Sequence, residues 1–469
     1  MLKNRLVEVE IPESSPFRND KLNRQKCAST FIDLFSMYAD SGCVISLNGE
    51  WGSGKTTFVK MTMQEMINNG FHPLYFNAWE NDFVIDPLVA LLSEIKEIAP
   101  SSEKWNIVVA NAGKIISSIG STAIKGYLNR NLGFDVDAIS AGIDEATSIF
   151  KDSIDDFVNQ KKTLRNFKDS LKKYVAENTD TGKPIVFFID ELDRCNPHFA
   201  VKILERIKHL FDIPNIIFVL SICKEQIEYA IQGYYGSNNI DAVNYLRRFI
   251  DIEFTLPKPD SEQFCNYLYE YYNFGHIFSN EKRQQYRDFQ YDEESFKRIA
   301  SSLIDKSKLD LRTIDKIYVH TRLALYTFAE NEELVPDVFF FLCFLKITDF
   351  SLYNDIENHT YTVQQLLTKL EDFLPNSLLR KDYDYGNIAR RMTFCIISLL
   401  HMYDMRPNGI EYEKIFVQKE GDSPKLKCEI MESELFNEVY NWECKRGYFR
   451  NITLHHLIKR INLQQSFIL

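Results

Sequence analysis

Residues Gly49-Glu50-Trp51-Gly52-Ser53-Gly54-Lys55-Thr56 satisfy GxxxxGK[ST] at every fixed position. Glycines at 49, 52 and 54 let a backbone wrap phosphate oxygens with its N–H groups. Lys55 would reach the β- and γ-phosphates, and the Thr56 hydroxyl is expected to bind Mg²⁺. Thr57 extends the same nucleotide-binding stretch. A fortuitous glycine-rich turn is the competing reading. A second group is Asp190-Glu191, which ends the apolar run 185–189. A carboxylate at the C-terminal end of a strand faces the crevice where α/β proteins bind ligands. Asp190 is the candidate for the Mg²⁺ shell, directly or through water. Glu191 is the candidate for orienting or deprotonating the attacking water. An acidic helix cap made by Glu191 and Asp193 would explain the same residues differently.

Two neighbours add to this set. Residues 77–81 read Asn-Ala-Trp-Glu-Asn after a short strand, so Glu80 is a weaker candidate for positioning water. Trp79 is expected to pack against the sheet end. Arg194 either neutralises γ-phosphate charge on a neighbouring subunit or pairs with Asp193 or Glu191 at home.

The elements that must position these residues follow from short β-branched or aromatic runs at 43–47, 74–76, 185–189, 216–221 and 252–256. Amphipathic helical stretches lie between them. The alternation predicts an α/β fold, a parallel sheet with helices on both faces. The loop at 49–56 would then follow a strand and open a helix near Lys55, the context its motif demands. One long helical insertion interrupts the sheet. Its residues 135–176 carry Ile139, Ile143, Ala146, Phe150, Ile154, Phe157, Leu164, Phe167, Leu171 and Tyr174 three or four apart. That stripe predicts a helical arm packed on its own domain rather than an intermolecular coiled coil, since the gap at Lys161 breaks a strict heptad. The segments 106–126 and 338–345 are too polar or too short to span a membrane. The expected domains are 1–99 with 184–259 as the core and 100–183 as the insertion. A small helical bundle at 260–330 and an all-α C-terminal domain at 331–469 follow. A weak break at 380–386 and a charged loop at 418–425 fall inside the last.

The chain has 469 residues, 45% of them hydrophobic, enough for two to four domains with real cores. Its net charge of −11 argues against bulk electrostatic binding to nucleic acid or anionic lipid. Lys161, Lys162, Arg165, Lys168, Lys172 and Lys173 could form one local basic stripe, or simply the solvated face of the arm. Nine cysteines occur with no CxxC spacing, and no signal peptide precedes them. Reduced thiols in a cytoplasm are expected. No NKxD-type base reader follows a late strand, which disfavours GTP. No serine elbow or supported Cys–His pair appears, and His455-His456 reads as packed or surface.

Taken together, the chain resembles the KAP family of P-loop NTPases over about residues 17–330. The resemblance rests on Asp20-Lys21-Leu22-Asn23-Arg24, on residues 49–56 with Trp51, on Phe76-Asn77-Ala78-Trp79, and on Ile189-Asp190-Glu191-Leu192-Asp193-Arg194-Cys195. It implies ATP with Mg²⁺, a sheet with an added strand between the phosphate-loop and metal strands, and a helical lid at 260–330. It implies that Ser221 senses the γ-phosphate, although a strand-end cap would serve as well. The family usually has an acid where this chain has Cys223. Arg312, in Asp310-Leu311-Arg312, resembles a lid arginine, and Arg247 or Arg248 is another source of an arginine finger. Family inserts often carry membrane helices, but this one is too polar. Bacterial members are frequent in anti-phage contexts. The resulting expectation is an ATP-driven switch that self-associates or engages a protein partner. An adaptor that holds ATP with negligible hydrolysis is one alternative, and a nucleic-acid sensor or motor is another.

Overall fold

The computed structural model describes residues 9–83, 86–96, 103–117, 149–178, 183–208, 213–237, 239–258, 260–373, 386–404 and 452–464. The early part of the arm stripe (135–148), the charged loop at 418–425, most of the 380–386 break, and Cys428 and Cys444 lie outside them. The described residues divide into two compact units, 9–258 and 260–464.

The first unit is built on five parallel strands: β1 (Cys43–Asn48), β2 (His72–Asn77), β3 (Ile185–Asp190), β4 (Ile216–Ile222) and β5 (Ile252–Thr255). Their order is β2-β3-β4-β1-β5. All five strands predicted from the sequence are present. β4 lies between β1 and β3, as the family resemblance implied.

The physical cause is the two-residue period of apolar side chains. On β3, Val186 and Phe188 enter one core while Ile185, Phe187 and Ile189 enter the other. On β4, Ile217 and Val219 oppose Ile216, Phe218, Leu220 and Ile222 in the same way. A strand apolar on both faces must be covered on both. One cover comes from α1 (Gln25–Met37) and α2 (Lys55–Asn68). There Phe31 meets Phe254 at 4.7 Å and Phe35 meets Phe188 at 6.1 Å.

The other face is covered by α3 (Pro87–Lys96), α4 (Glu103–Ser117), α5 (Ile149–Glu177), α6 (Pro197–Lys208), α7 (Lys224–Tyr235) and α8 (Ala242–Leu246). The arm stripe is real where it is described. Phe167, Leu171 and Tyr174 of α5 are buried with Trp105 and Val108 of α4, and Trp105 meets Tyr174 at 5.2 Å. Asn111 donates to Ser170 at 3.3 Å across the pair. None of the helices, over the described residues, is long and apolar enough to cross a membrane.

The second unit is helical among its described residues: α9 (Ser261–Tyr271), α10 (Gly275–Phe278), α11 (Glu281–Gln284), α12 (Asp292–Ser307), α13 (Leu311–Leu325), α14 (Pro336–Thr348), α15 (Phe350–Glu357), α16 (Val363–Leu370), α17 (Gly386–Asp404) and α18 (Leu454–Ile461). Its centre is α14, apolar all round and buried from Pro336 to Leu345. Phe296 of α12 and Tyr318 of α13 pack on Phe340 at 5.1 and 5.8 Å. His456 packs on Phe328 and accepts from Arg460.

Candidate active site

The phosphate loop leaves β1 and enters α2 through two left-handed glycines, Gly52 (φ 74°) and Gly54 (φ 82°). Only glycine adopts that conformation cheaply. At Gly49 the constraint is space, since a Cβ would lie 2.9 Å from Ser53 Oγ and 3.2 Å from Lys55 Cγ. Gly49 N–H is fixed by Ile222 O at 3.1 Å, which ties the loop to the end of β4.

Lys55 is 8% exposed, and its Nζ donates to Gly49 O at 2.6 Å and Glu50 O at 3.1 Å. Burial lowers its pKa, and the charges of Asp193 and Asp190 oppose that. Thr56 and Thr57 follow at the part-exposed head of α2. Glu50 is exposed and pairs with Lys258 at 3.0 Å. The loop is braced from behind by Arg24, which is 4% exposed and donates to Ser53 O at 2.8 Å and Pro257 O at 3.0 Å. Asp20 caps the backbone of this arginine. The sequence held Arg24 only as part of a lead-in, and no local signal marks a brace.

The acids stand at the same edge of the sheet. Register pairs Asp190 with Ser221, Ser221 with Leu47, and Asn77 with Asp190. Asp190 is buried, and both of its oxygens are held. Glu191 N–H donates to Oδ1 at 2.9 Å and the Tyr75 hydroxyl to Oδ2 at 3.2 Å. Burial first, and then the charge of Asp190, push the Tyr75 pKa up, so it stays a donor. Each carboxylate oxygen keeps a second lone pair for a ligand.

Glu191 sits in the left-handed region (φ 59°), an uncommon place for a residue with a side chain. Strain of about 1–3 kcal/mol is typical there and concentrates at functional sites. One carboxylate oxygen pairs with Arg194 and the other accepts from Asn77 Nδ2 at 3.4 Å. Of the two roles open to Arg194, the structure contains the pair within the chain.

Asp193 does more than cap a helix. Its Oδ2 accepts from Trp51 Nε1 at 2.5 Å and from Cys223 N–H at 3.0 Å. One carboxylate therefore joins the phosphate loop, the turn after β3 and the end of β4. It reaches the backbone of Cys223, the residue that stands where the family resemblance led one to expect an acid. Trp79 is the one departure from expectation here. It does not pack into the sheet end but is 51% exposed, with the Arg194 guanidinium 5.7 Å over its ring. Asn77 holds the turn by accepting from the backbone of Trp79 and Glu80, and Glu80 itself is exposed.

The donor set suits a Mg²⁺ nucleotide. The Ser53 and Ser221 hydroxyls are buried at this edge without a hydrogen-bond partner among the described residues. An orphaned buried hydroxyl costs about 1–3 kcal/mol, which a polar ligand would recover. Among the candidate arginines, Arg247 and Arg248 are exposed after α8. Arg312 lies in the first turn of α13 in the second unit, where its N–H is capped by Asp310.

The KAP family P-loop domain matches residues 24–323. An uncharacterized protein of Methanocaldococcus jannaschii is 28% identical over 177 residues, covering 32% of this chain and 90% of its own. Two structures of the Aeropyrum pernix ORC2 protein, one of ADPNP-ADP complexes and one of the ADP form, are 13% and 12% identical. They cover 82% and 98% of this chain, and 82% and 95% of their own, at a TM-score of 0.30 each. A score that low adds nothing to the fold read from the sheet itself. The family match spans well over half of the chain and contains the loop, the acids and Ser221, so this chain belongs to the KAP family of P-loop NTPases.

Proposed function

We propose that the chain is a Mg²⁺-dependent ATPase switch whose nucleotide state governs self-association or the docking of a partner protein. The observation that supports it best is the alignment of adjacent strand ends. Loop and lysine at β1, Ser221 at β4 and Asp190-Glu191 at β3 all meet at one edge.

Each residue has a role there. The loop N–H groups and Lys55 bind the phosphates. Thr56 and Asp190 would hold Mg²⁺, which when bound neutralises charge between the β- and γ-phosphates. Glu191 orients the attacking water and accepts its proton. Ser221 donates to the γ-phosphate, and one of the arginines named from the sequence completes the charge. A change of state in the second unit must be driven by the difference in ATP affinity between its two states. The cytoplasm is the proposed setting, in keeping with the free cysteines among the described residues. A role in bacterial anti-phage defence is the biological proposal, and it rests on the family resemblance alone.

The adaptor reading has one specific observation in its favour, the Arg194–Glu191 pair, which occupies the proposed base. Mg²⁺-dependent turnover of ATP and GTP over a protein concentration series separates the two. The switch predicts ATP preference, specific activity that rises with concentration, and loss in Lys55→Ala and Glu191→Gln. Tight ATP binding with no turnover at any concentration would leave the adaptor.

A further inference from the structure

We propose that Arg194 is a latch on Glu191 that the terminal phosphate of a bound nucleoside triphosphate releases. The inference rests on the ATP-site reading above and adds its regulation.

Both carboxylate oxygens of Glu191 are engaged in this structure. Arg194 takes one carboxylate oxygen and Asn77 Nδ2 the other. A carboxylate held from both sides offers a water only its remaining lone pairs. The base is therefore present at the strand end but restrained.

The restraint is built to let go. The pair joins residues three apart, with side chains 27% and 16% exposed. Neither side chain is fully buried, so a bound anion can reach the guanidinium and compete for it. The second seat of Arg194 is the face of Trp79 at 5.7 Å, on a ring that is 51% exposed. A phosphate matches the guanidinium fork and carries more charge than a carboxylate, so it competes well for Arg194. The guanidinium is close enough for its charge to be felt at Lys55, the residue expected to reach the γ-phosphate.

Glu191 would not drift when released. Its own backbone, in the left-handed region, and Asn77 keep the carboxylate at the strand end. The consequence is economical. Glu191 becomes free to orient water only when a γ-phosphate is present to be attacked. Arg194 is a positioning residue in this scheme, acting through Glu191.

Trp79 supplies a reporter that does not depend on turnover. The full chain is titrated with the imido analogue of ATP plus Mg²⁺, and with ADP plus Mg²⁺, while calorimetry establishes occupancy. Trp79 emission is the difference between wild type and Trp79→Phe, which keeps an aromatic face under the guanidinium. The latch predicts a Trp79-dependent change with the triphosphate and none with ADP at equal occupancy. In Arg194→Ala, Trp79 should start at the loaded value and stay there. Arg194→Lys should restore part of the triphosphate response. A Trp79 signal produced equally by ADP, or persisting in Arg194→Ala, overturns the latch while leaving the ATP site intact. Absence of calorimetric binding by both nucleotides overturns the ATP-site reading, and the latch with it.

Discussion

At the scale of single residues, the site separates binding from chemistry. Lys55 is buried among the loop carbonyls, so its loss would remove the proposed phosphate partner and a loop brace together. Lys55→Ala should weaken ATP binding at least tenfold, a change of about 1.4 kcal/mol that calorimetry would measure. Glu191→Gln keeps the shape and the hydrogen bond from Asn77 but cannot accept a proton. It should leave binding within a few fold and lower turnover about 10²–10⁴-fold, the usual worth of a general base. Gly49→Ala tests the cradle. Its Cβ would press Ser53 Oγ and Lys55 from 2.9 and 3.2 Å, so nucleotide affinity should fall while the melting temperature moves little.

At the scale of elements, the packed arm is the telling feature. An exposed arm would tolerate truncation, whereas this one shares the core beneath the sheet. Trp105 is 3% exposed against Tyr174, and a Trp→Ala change at such a position costs about 3–5 kcal/mol. Trp105→Ala should lower the urea midpoint of the first unit accordingly, read by circular dichroism. The opposite face of α5 behaves differently. Lys162, Arg165 and Lys173 are exposed there. Reversing all three to Glu should move stability by about 0.5 kcal/mol or less per site, typical of surface changes. ATP turnover should be unaffected.

At the scale of the molecule, the second unit carries an unusual buried acid. Asp337 is 2% exposed at the start of α14, with Arg391 3.6 Å away and Oδ1 without a hydrogen-bond partner among the described residues. Burial pushes its pKa up to about 7, against an opposing pull from Arg391. The folded state thus holds this proton more tightly than the unfolded chain, where the carboxyl has a value of 3.8. Stability from this group is full below about pH 4 and is lost as pH rises through about 7. His320, His401 and His456 are shifted down by burial and act with the opposite sign, so the test must be a difference. Wild type should lose stability relative to Asp337→Asn between pH 4 and 7, as read by denaturant midpoints. A constant gap across that range would show that the carboxyl does not titrate there.

What could be read from the sequence was whatever a contiguous stretch encodes. The loop at 49–56 is legible because eight neighbouring residues carry both its glycine geometry and its chemistry. The strand at β3 is legible because an apolar run ends in two acids. Short β-branched and aromatic runs located all five strands, and the central ones are apolar on both faces because they must hide both. The arm stripe was legible for the same reason, at a period of 3.6. The bracing of the site was not. Trp51 and Asp193 are 142 residues apart, Tyr75 and Asp190 are 115 apart, and Arg24 reaches Pro257 across 233. No local pattern announces such pairs, because hydrogen bonds between distant side chains depend on where the sheet order β2-β3-β4-β1-β5 brings strand ends together. The exposed Trp79 shows the same limit. Its surroundings were decided by a turn that Asn77 holds and by an arginine placed over the ring. Sequence alone therefore determined which groups are the candidates for chemistry. Only the tertiary structure decided which of them are held, by what, and in which state, because that depends on burial and on partners far away in the chain.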